Sequence, residues 1–184
     1  MTEVVESSAT EKKVKYVLIG DASRVLGKPV VVFDLDGVLF DVSERLRAVL
    51  RELGADKIPD KGELRHRFWE LFLSEKYMRL DKPNAHFVEL AKEYKARGYG
   101  VVIVTGRIYE SQGSRTLEQL QTSGVPFDLI VFRSKGEYAK DHQFKVQLIK
   151  ELRLNVVKAY DDSPDVCSAY TAIGIDVECV QRGS

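Results

Sequence analysis

The chain is predicted to be a three-layer, Rossmann-like α/β sandwich around a parallel sheet, with a small helical cap inserted after the first core strand. Three observations carry this. Mostly continuous apolar runs recur at residues 30–33, 101–104, 129–132, 156–160 and 177–180, as strands covered on both faces require. Helical patterns lie between most of these runs, giving the βαβα order that a parallel sheet demands. Residues 43–80 break this rhythm with two helical patterns and no strand between them.

Taken in order, residues 1–13 are polar and without a sustained period, which predicts a flexible leader. Residues 14–19 are expected to form a short edge strand. The "GDASRVLGKP" that follows is not a Walker loop: six residues separate Gly20 from Gly27, and Lys28 is followed by Pro29. After the first core strand come helices predicted over 43–53 and 62–80. Leu64, Phe68, Leu71 and Phe72 mark the apolar face of the second, with Trp69 and Tyr77 near it, and core packing is the favoured role of these rings. The next helix runs from a cap at Asn84 to a stop at Gly98 and places Phe87, Leu90, Ala91 and Tyr94 on one face. Helices over 115–123, 144–152 and 165–173 complete the alternation. The expected organisation is a leader at 1–13, a core at 14–42 and 81–184, and a cap at 43–80. Residues 182–184 are given no role.

Lys plus Arg and Asp plus Glu both number 28, so no whole-surface charge favours nucleic acid, membrane or an acidic partner. Cys167 and Cys179 are too few for a disulfide framework and read as small buried apolar residues, which places the chain in a reducing cytoplasm. There is no apolar run of spanning length and no secretory signal pattern. No obligatory protein partner is evident. His66, His86 and His142 are too scattered to suggest a metal cluster.

The chemistry converges where parallel strands end, because ligands of such sheets bind beyond their carboxyl ends. After the first core strand stand Asp34 and Asp36; after the second, Thr105, Gly106 and Arg107; after the fourth, Asp161, Asp162 and then Asp165. Lys140 and Lys145 precede or open the helix leading into the fourth strand. Clustered carboxylates repel one another unless a cation joins them, and oxygen ligands of this kind suit Mg2+. Asp34 is then placed as a nucleophile toward phosphorus, and Asp36 as the acid and base that protonates the leaving oxygen and activates water.

"DLDGVLFD", "VTGR", the lysine and "DDSPD", in this order, resemble the haloacid dehalogenase superfamily. The resemblance implies an aspartyl phosphate on Asp34, a backbone carbonyl of Asp36 on Mg2+, Thr105 on the phosphoryl oxygens, and Asp161 with Asp162 completing the metal site. Within it, "NAHFVELAKEYKARGYGVVIVTGR", "FRSKGEYAKDHQFKVQLIKEL" and "AYDDSPDVCSAYTAIGIDVECVQ" are similar to the phosphatase domain of phage-type polynucleotide kinases, which acts on 3'-phosphate ends. That similarity implies Lys145 as the cation on the transferring group, Asp141 orienting it, and Arg107 and Arg133 on phosphate or substrate. Lys140 is the alternative to Lys145. The kinase domain usual in that family is missing from this sequence, and the 43–80 segment is longer than its counterpart. The expected function is a Mg2+-dependent phosphomonoesterase acting on nucleic-acid or nucleotide 3'-phosphates. A small-molecule phosphatase for nucleoside monophosphates or sugar phosphates stays open, as does a catalytically silent binding module. A phosphomutase or an ATPase would share the nucleophile, whereas a dehalogenase is disfavoured.

Overall fold

The computed structural model describes residues 2–6 and 14–181. Its sheet has seven strands: β1 (Thr2–Glu6), β2 (Lys15–Gly20), β3 (Pro29–Phe33), β6 (Gly100–Ile108), β7 (Leu129–Arg133), β8 (Asn155–Asp161) and β9 (Val177–Cys179), in the spatial order β1-β2-β7-β6-β3-β8-β9. From β7 to β9 all neighbours are parallel, while β2 runs antiparallel to β7 and β1 antiparallel to β2.

This corrects two expectations. Residues 14–19 are not an edge: β2 has a neighbour on each side. Residues 2–6, read as part of a flexible leader, pair with β2 from Thr2 opposite Ile19 to Glu6 opposite Lys15. The pairing is made by backbone groups, which leave no hydrophobic period for a sequence reading to find. The remainder of the leader and residues 182–184 lie outside the described residues.

Alternation along the central strands sends side chains to two cores. Val30, Val32, Val102 and Val104 pack with Phe144 and Leu148 of α5 (Asp141–Glu151) and Val166 and Tyr170 of α6 (Pro164–Ala172). Val31, Phe33, Val101 and Ile103 pack on the opposite face with Phe87 and Ala91 of α3 (Ala85–Ala96) and Leu120 of α4 (Tyr109–Ser123). Full burial of a side chain such as Phe33 contributes about 1.5–3 kcal/mol, so both faces must be covered for the layers to hold.

The inserted segment leaves and returns at one point. β4 (Phe40–Asp41) pairs antiparallel with β5 (Lys82–Pro83), and between them lie α1 (Ser43–Leu53) and α2 (Gly62–Phe72). The helix expected over 62–80 ends early: the Ser74 hydroxyl donates to the carbonyl of Leu71, and after a turn only a 3-10 segment, Met78–Leu80, follows. On α2, Phe68 is buried against Trp69 and Phe72, but Leu64 is exposed. Helix α4 begins well before the expected 115. Its first turns carry Gly113, where a Cβ would lie 2.4 Å from the Tyr109 ring, so glycine is what lets that ring lie against its own helix.

The cysteine reading is also corrected. Cys167 of α6 and Cys179 of β9 form a disulfide with Cα atoms 5.8 Å apart. Strand β9 brings Cys179 into register with Asp161, and α6 returns over that strand end. The compartment inferred from unpaired thiols loses its basis. No helix among the described residues is long and apolar enough to cross a membrane.

Candidate active site

The strand order changes direction at β3, whose neighbours β6 and β8 lie on opposite sides, and Asp34 stands just past its end. The backbone N–H of Asp34 donates to the Tyr160 carbonyl at 3.0 Å, which extends the ladder one residue past the strand. Its Oδ1 accepts from the N–H of Leu35 at 2.8 Å.

Lys145, on the inner face of α5, reaches under this residue. Its Nζ lies 2.7 Å from Asp161 Oδ2, 3.2 Å from Asp34 Oδ1 and 3.2 Å from Asp141 Oδ2, and its side chain is 1% exposed. Burial opposes the charge on Lys145, but Asp141, Asp34 and Asp161 together hold its pKa well above the usual lysine range. Lys140, by contrast, is exposed at the start of α5. Of the two lysines, Lys145 is the one in contact with Asp34.

Asp34, Asp161 and Asp162 each bring a carboxylate oxygen within 4.8 Å of the others. Gly37 makes this possible: a Cβ there would stand 2.1 Å from Asp162 Oδ2, and its φ of +85° belongs to glycine. Burial pushes the Asp34 carboxyl well up, Asp161 adds to it, and Lys145 only partly offsets them. An all-oxygen, negatively charged cluster of this size fits a hard divalent cation, which would reverse that shift. The exposed Asp165 stands outside this group, in the first turn of α6.

The Asp36 side chain faces away from the cluster. Its Oδ1 accepts from Arg45 Nη2 at 2.8 Å and from Arg107 Nη2 and Nε at 2.6 and 2.9 Å. Burial would raise its pKa, but Arg107 and Arg45 outweigh it and hold the carboxyl below the usual range. Its side chain is therefore no part of the cation cluster, and its backbone carbonyl is what it has left to offer there.

Arg107 differs from the expectation that it binds substrate. The pairing of β6 with β7 slips between Thr105 and Ile108, and this irregularity turns Arg107 inward. All five of its N–H donors are engaged: on Asp36, on Asp81 at 3.2 Å, on Thr116 Oγ1 at 2.9 Å and on Gln119 Oε1 at 2.7 Å. It positions Asp36. Arg133 likewise turns to the protein, donating to the carbonyls of Glu137 and Ala139 at 3.2 and 2.7 Å and lying over the Phe144 ring. Thr105 is buried, and its Oγ1 accepts from the Arg107 N–H at 3.0 Å, which leaves the hydroxyl hydrogen to donate. Gly106 lets Asp141 approach, since a Cβ there would lie 2.9 Å from Asp141 Oδ1.

Arg45 and Asp81 were missed from the sequence. Both side chains are fully buried, with Arg45 Nε donating to Asp81 Oδ1 at 3.0 Å. A signal was present: Arg45 and Val49 lie four residues apart on the buried face of α1, a place for apolar residues unless a charge is paired there.

The sequence model of the polynucleotide kinase PNKP phosphatase domain matches residues 62–184, two thirds of the chain, and takes in Thr105, Lys145, Asp161 and Asp162. Asp34 and Asp36 precede the match and stand on the geometry. No curated protein matches the chain. Among solved structures, one titled "Structure of Pnkp1/Rnl/Hen1 complex" is 21% identical with a TM-score of 0.64, covering 86% of this chain and 48% of that one. A second, of the "Pnkp1/Rnl/Hen1 RNA repair complex", is 22% identical with the same TM-score, covering 90% and 45%. A haloacid dehalogenase-like hydrolase from Streptococcus pneumoniae is 15% identical with a TM-score of 0.59, covering 82% and 83%. The chain thus spans about half the length of the first two. With the family match over most of the chain and this fold beneath it, the protein belongs to the PNKP phosphatase domain family of haloacid dehalogenase-type phosphatases.

Proposed function

We propose that the protein is a Mg2+-dependent phosphomonoesterase that works through an aspartyl phosphate on Asp34 and removes 3'-phosphates from nucleic-acid or nucleotide ends. The observation that carries the chemistry is the buried Lys145 ammonium 3.2 Å from Asp34 in a crevice shared with Asp161 and Asp162. The family match carries the substrate.

An oxygen of Asp34 attacks phosphorus, the bond to the leaving oxygen breaks, and Asp36 gives that oxygen a proton. Lys145 and the Thr105 hydroxyl hold the phosphoryl oxygens. Asp36 then takes a proton from water, whose oxygen attacks the phosphorus and frees Asp34 and inorganic phosphate. The hydrogen bonds from Arg45 and Arg107 all fall on Oδ1 of Asp36, so Oδ2 is the atom that exchanges the proton. The carboxylates of Asp34, Asp161 and Asp162, with the Asp36 carbonyl, would hold Mg2+, which supplies positive charge against the phosphoryl oxygens.

The test compares kcat/KM for a 3'-phosphorylated trinucleotide, its 5'-phosphorylated isomer, a 3'-mononucleotide and a sugar phosphate, with Mg2+ and with EDTA. The trinucleotide 3'-phosphate should be preferred, and EDTA should abolish turnover. Preference for the sugar phosphate or the mononucleotide would replace the nucleic-acid substrate with a small molecule. Full turnover in EDTA would remove the metal.

A further inference from the structure

The loop between β7 and α5 carries Tyr138, whose residue is 91% exposed. Among the described residues, which include all 17 Phe, Tyr and Trp of the chain, it is the one aromatic that is exposed. A lone exposed ring on a mobile loop would mean little. This loop is pinned on every side. Arg133 holds the carbonyls of Glu137 and Ala139, the two residues flanking Tyr138. The Glu137 carboxylate accepts from the backbone N–H of Ala139 at 3.0 Å and of Lys15 at 2.8 Å. At the loop's start, Ser134 Oγ and the Lys135 N–H both donate to Glu110 at 2.8 Å. A buried guanidinium and two carboxylates are thus spent on fixing a backbone whose ring, among the described residues, touches no other ring and makes no hydrogen bond.

The loop also lies near the crevice. Three residues on, Asp141 contacts Lys145 Nζ at 3.2 Å, and three residues span at most about 11 Å. Strand β7 is two positions from β3, about 10 Å across the sheet. Lys135 and Lys140, both exposed, flank the ring with positive charge.

We propose that Tyr138 is a preorganised platform on which a base within the last two nucleotides of a single-stranded substrate stacks while its 3'-phosphate sits at Asp34. This rests on the reading of the substrate as a nucleic-acid end. Stacking accepts any base, because each has a π face, and a ring fixed beforehand loses little entropy on binding. Lys135 and Lys140 supply the backbone-facing charge.

The test uses Tyr138→Ala and Tyr138→Phe with three substrates: a 3'-phosphorylated trinucleotide, a trimer of the same backbone without bases, and an aryl phosphate. Because Tyr138 is exposed, both variants should fold as the parent does. Tyr138→Ala should raise KM for the trinucleotide about tenfold with little change in kcat, while Tyr138→Phe stays near wild type. For the baseless trimer, wild type should already show the raised KM and Tyr138→Ala should add nothing. Aryl phosphate turnover should be unchanged throughout. An unchanged KM for the trinucleotide in Tyr138→Ala, or an equal loss on both trimers, overturns the platform while the proposed function stands. A wild-type protein that turns over aryl phosphate but prefers mononucleotides to the trinucleotide overturns the substrate reading, and the platform with it.

Discussion

Replacing Lys145 by Met removes a buried cation and leaves three carboxylates behind. Asp141 is 41% exposed and can be solvated, but Asp34 and Asp161 are 9% and 2% exposed and cannot. Breaking a buried ion pair from one side costs about 3–5 kcal/mol. A chain of 184 residues has an unfolding entropy of about 0.39 kcal/mol per kelvin, so the melting temperature should fall by about 8–13 °C at neutral pH. Millimolar Mg2+ should recover part of this by neutralising the same carboxylates. Turnover of an aryl phosphate should drop at least about 100-fold, the usual loss of a group that stabilises developing charge. The exposed Lys140 is the internal control: Lys140→Met should shift stability by no more than about 0.5 kcal/mol and leave aryl phosphate turnover intact. The assays are thermal unfolding by circular dichroism and steady-state phosphate release. A melting temperature within about 2 °C of wild type for Lys145→Met, with turnover lost instead in Lys140→Met, would refute the assignment.

Asp36→Asn should lower turnover of alkyl phosphates by about 10²–10⁴-fold and of aryl phosphates by less, because a good leaving group needs less protonation; equal losses would exclude Asp36 as the acid. Asp81→Asn should destabilise by about 3–5 kcal/mol in urea unfolding, since it uncouples one carboxylate from the buried Arg45 and Arg107, and a change below about 1 kcal/mol would show the network to be dispensable. Reducing the Cys167–Cys179 disulfide, which closes a 12-residue separation, should cost about 2–3 kcal/mol, read as a fall in the urea midpoint with dithiothreitol that Cys179→Ser abolishes.

What could be read from the sequence follows from how each feature is specified. Strands β3, β6 and β7 contain continuous apolar runs and β8 one broken only by Lys158, and the carboxylates and threonine that follow these runs in β3, β6 and β8 come from the strand positions alone. Lys145 and Lys140 could not be separated, because burial under Asp34 depends on how α5 docks on the sheet. The roles of Arg107 and Arg133 were read toward substrate because arginine near a phosphate site has that ordinary use; only the packing shows their donors consumed by Asp36 and by the 134–140 loop. Arg45 and Asp81 come from segments 36 residues apart and meet only when the inserted helices fold back between β4 and β5. Helix α4 opens with "YESQGSR", which has no apolar period; its start is fixed by the Gln112 side-chain Oε1 accepting from the Ile108 N–H at 3.1 Å and by a tertiary contact, Ser111 Oγ donating to the Leu73 carbonyl at 2.8 Å.

The central claim, a covalent phosphoryl group on Asp34, is tested most directly by acid-quenching the protein during turnover with Mg2+ and mapping the phosphorylated peptide by mass spectrometry. The account predicts one hydroxylamine-labile phosphoryl group on Asp34, accumulating in Asp36→Asn when the substrate is an aryl phosphate, whose departure needs little protonation while water activation is impaired, and absent in Asp34→Asn. Phosphoryl label on another residue, or label that persists in Asp34→Asn, would contradict it.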